Sequence, residues 1–350
     1  MHTRLNQVRE SVSLVENQTL LISTPTNIQY LTGFAPLASG VREALLLITP
    51  KRAFLFHSPL ARPPKAPRVT SLPFSKSFSR DLKNLLVKEN SSTLFFEPEN
   101  LTVTEYIHFK KITKLIPKKA AIEVLRQEKD HEEIAAITQA CTLAKKTISF
   151  LQKHLVPGKK EKELAWLAEK YLKENGADSL AFPIIVASGP NSAIPHHTTT
   201  DRKLTRQDNI LIDLGCKVSG YCSDITRTFF IGSPTHEQKR VESVVKQAHH
   251  AALSALSSKP LALCSVIDSA ARKVVKTAGL AKYFIHGTGH SLGLDVHESP
   301  GLSPHSKAIL KPNMVITIEP GVYLPGKFGF RHEDTILITK SGYKNLTSTS

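Results

Sequence analysis

Cysteine is scarce in this chain. Cys141, Cys216, Cys222 and Cys264 are the only four in 350 residues, and none forms a Cys-x-x-Cys pair. That excludes a disulfide framework and leaves reduced thiols in a cytoplasmic protein as the expectation. Long apolar runs are missing as well. No stretch approaches the ~20 residues of a membrane-spanning helix, and the longest, 44–48 and 53–56, are of strand length. The first ten residues carry charges with no apolar segment behind them, so no secretory signal is expected. With 17 glycines and 21 prolines, a fibrous or low-complexity protein is excluded. Acidic residues fall short of basic ones, 30 against 46, giving a net charge of +16. The surplus suits acidic partners. Yet the lysines come as scattered pairs such as Lys110-Lys111 and Lys159-Lys160, without the aromatics on which single-stranded nucleic acid stacks. Nucleic acid is therefore not an expected partner, and neither is a membrane.

What is present is ordinary globular material, 41% hydrophobic and 22% charged, in a length that suggests two domains. Residues 20–23 form an apolar run that ends in a turn at Pro25-Thr26-Asn27. Runs 43–49 and 53–57, separated by Pro50-Lys51-Arg52, read as a hairpin. Three prolines make 62–67 a loop, and 93–96 is a further strand. From about residue 122 the texture changes. Helices are expected at 132–151, 161–175, 237–256 and 265–278, with strands at 184–187, 210–214, 226–231, 314–318 and 335–339. The expected organisation is α/β (α+β), with a small mixed domain over 1–121 followed by a larger one over 122–350.

The informative residues of the second domain are polar ones inside or beside apolar strands. Asp213 sits in Ile210-Leu211-Ile212-Asp213-Leu214, and Asp224 closes Gly220-Tyr221-Cys222-Ser223-Asp224. Glu319 follows Met314-Val315-Ile316-Thr317-Ile318, and Glu333 lies in Phe330-Arg331-His332-Glu333-Asp334. A carboxylate in apolar surroundings needs a partner. Four of them, with His290 in a glycine-rich segment, are poorly explained by separate salt bridges. Converging carboxylates repel one another and raise one another's pKa; their total charge of −4 is what two divalent ions balance. Oxygen-rich ligation with a single imidazole favours manganese over a thiolate zinc site, and such a pair of ions suits metal-assisted hydrolysis.

These motifs resemble the pita-bread metallopeptidase family, in its Xaa-Pro aminopeptidase and prolidase branch. The resemblance is carried by Gly189-Pro190-Asn191-Ser192-Ala193-x-Pro195-His196, Gly220-Tyr221-x-x-Asp224-x-Thr226-Arg227-Thr228 and His286-Gly287-x-Gly289-His290. It continues through Gly293-Leu294-x-x-His297-Glu298-x-Pro300, Thr317-Ile318-Glu319-Pro320-Gly321-x-Tyr323 and Gly329-x-Arg331-x-Glu333-Asp334. Asn27-Ile28-x-Tyr30-Leu31-Thr32-Gly33-Phe34 resembles the family's creatinase-like N-terminal domain. The resemblance implies a creatinase-like domain followed by a pita-bread catalytic domain. It implies two divalent ions, manganese first and cobalt or zinc as alternatives, held by Asp213, Asp224, His290, Glu319 and Glu333. Asp224 and Glu333 would bridge both ions, Asp213 completing one and His290 with Glu319 the other. His196 and His297 would be catalytic by stabilising the tetrahedral intermediate, Glu319 would also act as base, and His286 and Arg331 would lie near the proline pocket and the metal shell. Proline-containing peptides would be the substrates and a homodimer or homotetramer the assembly.

The leading expectation is a Xaa-Pro aminopeptidase, with a prolidase restricted to Xaa-Pro dipeptides as the alternative. Methionine aminopeptidase fits less well, since it usually lacks both the first domain and the Arg-x-Glu-Asp ending. A ligand-free binding relative is disfavoured by the five retained ligands. Gly287-x-Gly289-x-x-x-Gly293 has the wrong spacing for a dinucleotide fingerprint. His332 departs from the family's usual apolar residue; alternation turns it away from the metal face, and packing is its expected role, as it is for His249 and His250.

Overall fold

The computed structural model describes residues 4–35, 41–75, 77–258 and 261–348. The chain divides into two compact units, Met1–Arg126 and Gln127–Ser350. In the first, a six-stranded mixed sheet runs in the order Val69–Pro73, Ala53–His57, Ala44–Ile48, Gln18–Ile22, Thr93–Phe96, Lys114–Pro117. Its centre is apolar on both faces: Leu20, Leu21, Ile22 and Leu45 through Ile48 are all buried. The hairpin at 44–57 forms as expected, with Leu46 opposite Leu55. The expected turn at Pro25-Thr26-Asn27 is instead the first turn of a helix, Pro25–Thr32. Proline is tolerated there because the first helical N–H has no partner to lose.

In the second unit, helices His131–Gln152 and Glu161–Glu174 cover a three-stranded antiparallel sheet, Ile225–Phe230, Asn209–Leu214 and Ile185–Ser188. Asp130 caps the first of these helices and Glu133 returns the bond to the Asp130 N–H, satisfying two of the helix's free donors. A second helix pair, His236–Ser258 and Cys264–Thr277, packs with a five-stranded sheet ordered Glu298–Leu302, Gly289–Ser291, Val315–Ile318, Asp334–Thr339, Gly342–Asn345. The hairpin Gly321–Leu324 with Phe328–Arg331 completes the unit. Hydrogen bonds stitch the two sheets together: the Glu333 N–H donates to Thr226 O at 3.1 Å, and Thr335 Oγ1 donates to Asp224 O at 2.7 Å. All four cysteines are free and buried. Among the described residues no helix is long and apolar enough to cross a membrane.

Close packing fixes the strand that carries His290. A Cβ on Gly289 would overlap the carbonyl oxygen of Thr317 on the neighbouring strand, so only glycine lets the two backbones approach. Gly289→Ala is expected to destabilise the protein by about 1–3 kcal/mol, the usual cost of overpacking. Urea denaturation checks this, and an unchanged midpoint would contradict the packing argument.

Candidate metal centre and active site

Strand alternation aims the predicted ligands at one place. Ile210, Ile212 and Leu214 pack into the core under the first helix pair, so Asp213 faces the other way with Leu211, which packs beside Tyr323. Ile316 and Ile318 bury against the second helix pair, which turns Thr317 and Glu319 to the opposite face. Asp224 immediately precedes the strand Ile225–Phe230, whose Thr226 pairs with Asp213. Glu333 immediately precedes Asp334, which pairs with Ile318 next to Glu319. His290 stands in Gly289–Ser291, its N–H donating to Thr317 Oγ1 at 3.0 Å. Ligating atoms of Asp224, His290 and Glu333 lie within 4.8 Å of one another, and Asp213 and Glu319 line the same cavity of about 670 Å³. All five predicted ligands are therefore brought together.

The electrostatics of the cluster call for a cation. Burial, then the neighbouring carboxylates, push Asp224 and Glu333 well above the usual carboxylate range, and burial raises Glu319 too. Burial also lowers His290, keeping its ring neutral. Its Nδ1 lies 3.1 Å from Ser291 O, which can only accept, so Nδ1 carries the proton. The Nε2 lone pair is thereby aimed at carboxylate oxygens, 3.4 Å from Glu319 Oε1 and 3.7 Å from Asp224 Oδ2. A lone pair facing anions is repulsive unless positive charge lies between them. Asp213 Oδ1 and Asp224 Oδ1 are buried without a hydrogen-bond partner among the described residues. Orphaned carboxylate oxygens around a correctly oriented imidazole fit hard or borderline divalent ions.

The other predicted residues surround this cluster. His196 and His297 are exposed and line the cavity, and the His297 ring meets His290 edge-on at 4.4 Å. Arg331 is buried and spends its donors on the protein: Nη2 on Asp213 at 2.6 Å, Nη1 on Tyr323 Oη at 2.9 Å, Nε on Thr226 Oγ1 at 3.0 Å. Tyr323 Oη is in turn 2.9 Å from His286 Nε2, and His286 Nδ1 is 2.7 Å from Gly287 O. Burial lowers His286, so the neutral ring donates from Nδ1 and accepts the tyrosine hydroxyl at Nε2. His332 turns to the opposite face from Glu333, meeting the buried His249, while His250 is exposed.

Two contributors escaped the sequence reading. Tyr323 lies in a quoted motif but received no role. Glu161 looks like an ordinary acidic residue in the first turn of an amphipathic helix. In the structure it is fully buried and accepts six hydrogen bonds. Oε1 takes Ser188 N, Ser188 Oγ and Asn191 Nδ2, and Oε2 takes His197 Nε2, Thr200 N and Thr200 Oγ1. These residues flank His196 on both sides, so Glu161 holds the segment that presents it. No local sequence signal marks such a long-range role.

Comparison with known proteins gives the family and the fold. A profile described as metallopeptidase family M24 matches residues 135–340, and one described as creatinase/prolidase N-terminal domain matches residues 4–127. A Xaa-Pro dipeptidase of Pyrococcus horikoshii is 36% identical over 357 aligned residues, spanning 100% of this chain and 98% of its own. A solved prolidase from Pyrococcus furiosus superposes with a TM-score of 0.87 at 35% identity, covering 98% of this chain and 99% of its own. A solved X-Pro aminopeptidase from Thermotoga maritima does so with a TM-score of 0.84 at 30% identity, covering 97% and 98% respectively.

Glu161 generates a prediction with a definite sign in pH. Burial opposes its ionisation, but the bonds from Ser188, Thr200 and Asn191 outweigh burial and hold its carboxyl below the usual range. Glutamine would bring donors into a pocket already built of donors, so Glu161→Gln should cost about 2–3 kcal/mol at neutral pH. A depressed folded-state pKa stabilises fully above the unfolded value of about 4.3 and less as pH falls through the folded one. The gap between wild type and variant should therefore shrink in acid. Urea denaturation at several pH values tests this; a gap constant down to the acid limit would refute it.

Proposed function

Because the chain belongs to metallopeptidase family M24, we propose that it is a Xaa-Pro dipeptidase, hydrolysing the bond between an amino-terminal residue and a carboxy-terminal proline. The sequence alone put the aminopeptidase first. Similarity over 94% or more of the chain to enzymes named Xaa-Pro dipeptidase, at 36% and 37% identity, supports the dipeptidase instead. The observation that carries the hydrolase reading is the neutral His290 lone pair aimed at a cluster of carboxylates.

Asp213, Asp224, His290, Glu319 and Glu333 would hold two divalent ions, with manganese the first choice for so many oxygen donors. Bound there, divalent cations supply charge balance, Lewis acidity and a water acidified towards neutral pH. The protein's own groups do the remainder. Glu319, raised by burial, is poised to take a proton as general base. His196 and His297 face the cavity where charge develops on the scissile carbonyl oxygen and donate to it there. The same proton then passes to the departing proline nitrogen. That nitrogen has no N–H before cleavage, so recognition rests on the shape of the ring. Phe182, Pro183, Ile185 and Val296 give the cavity an apolar wall for it. Arg331 acts through Asp213, fixing that carboxylate by an ion pair.

Hydrolysis of a Xaa-Pro dipeptide and a Xaa-Pro-Xaa tripeptide, each with and without manganese, tests the proposal. Metal-dependent turnover of the dipeptide should exceed that of the tripeptide by about 100-fold, the equivalent of a lost charged hydrogen bond. Equal turnover of both would restore the aminopeptidase reading, and no metal-dependent cleavage of either would end the hydrolase one. Asp224→Asn or Glu333→Gln should lose bound metal and activity together, as read by elemental analysis and the dipeptide assay. His297→Ala should retain its metal while kcat falls by about 10²–10³-fold, the range for a lost oxyanion donor.

A further inference from the structure

A second group of metal-ligating side chains lies behind the first. We propose that His249, His332 and Asp334 form an additional site for a zinc-class divalent ion, sharing no ligand atom with the carboxylate cluster. His332 and Asp334 are two residues apart, on the opposite face from Glu333, and His249 comes from the helix His236–Ser258 packed against that face. His249 Nε2 is 3.3 Å and His332 Nε2 3.9 Å from Asp334 Oδ2, and the three donor atoms lie within 4.8 Å of one another. The two rings meet at right angles, 4.7 Å between centroids.

Hydrogen bonding leaves this arrangement unexplained. His249 is 6% exposed, and its Nε2, 3.3 Å from Asp334 Oδ2, makes no well-formed hydrogen bond among the described residues. A buried nitrogen left without a good partner is costly. A carboxylate offers about four lone-pair positions. Asp334 Oδ1 accepts from Arg227 Nη2 at 2.6 Å and Thr347 Oγ1 at 2.8 Å, and Oδ2 accepts from Asn345 Nδ2 at 2.8 Å. One position on Oδ2 is left, with two imidazoles competing for it. A single cation among the three would use both ring nitrogens and that last lone pair. Two imidazoles and one carboxylate oxygen make a three-ligand set of the kind zinc accepts. His332 is only partly buried, which leaves the fourth position accessible to water. Arg227 already neutralises Asp334, so affinity would come from the nitrogen donors rather than from net charge. That favours zinc, cobalt or nickel over manganese and magnesium.

The test counts ions in otherwise identical preparations. Wild type, His332→Leu and His249→Gln are loaded with manganese, then equilibrated with zinc, desalted and analysed for total divalent metal per chain. Two variants are used because one buried substitution alone can prevent folding, and circular dichroism checks each. The expected result is one ion per chain fewer in both variants, with manganese content before zinc addition equal to wild type. The difference between proteins is diagnostic whether or not the carboxylate cluster holds two ions, so failure here is separable from failure of the proposed function. Equal metal in all three proteins would overturn the site and leave a packed histidine pair. Loss of the manganese as well would overturn it by tracing the deficit to the other cluster.

Discussion

Repulsion among buried carboxylates is the constraint from which the catalytic unit takes its form. Asp213 stands on a strand, and Asp224, Glu319 and Glu333 stand beside strand ends, drawn from two different sheets. Next to Asp213 and Glu319 the alternate residues of the strand are apolar and go to a helix layer, leaving the acid to face the other side. Such an arrangement would come apart if left uncompensated. The protein supplies part of the compensation itself, through Arg331 on Asp213 and Thr226 on Glu333. The oxygens left over are the ones that require cations.

Much of this was legible in the sequence because the signals are local. Helix and strand periods in the second unit place its four long helices and five of its strands, and an Asp or Glu inside an apolar run is conspicuous without any alignment; the short strands Gly289–Ser291, Glu298–Leu302, Gly321–Leu324, Phe328–Arg331 and Gly342–Asn345 carry too short a period to be read. The residues that escaped are defined by distant partners. Glu161 is 36 residues from His197 and 39 from Thr200, and in a one-dimensional reading it is one more helix-start acid. The misread turn at Pro25-Thr26-Asn27 has another cause: proline and asparagine signal turns and helix starts alike, and only the continuation decides. Arg331 lines the cavity beside the cluster, and its donors go to Asp213, Tyr323 and Thr226, a set of partners no spacing rule reveals.

The order of the two peptidase readings shows where local signals stop. Ligand residues dictate the chemistry, and they are the same for cleavage of a dipeptide or a longer chain.

The row of bonds from Arg331 through Tyr323 and His286 to Gly287 has a direction. A guanidinium has nothing to accept with and a peptide carbonyl nothing to give, so every hydrogen between them must point the same way. Such a row cannot conduct, because passing a proton along it would require an end to reverse its nature. It works as a ratchet on orientation, locking one face of an imidazole at the rim of the cavity for as long as the arginine stays charged.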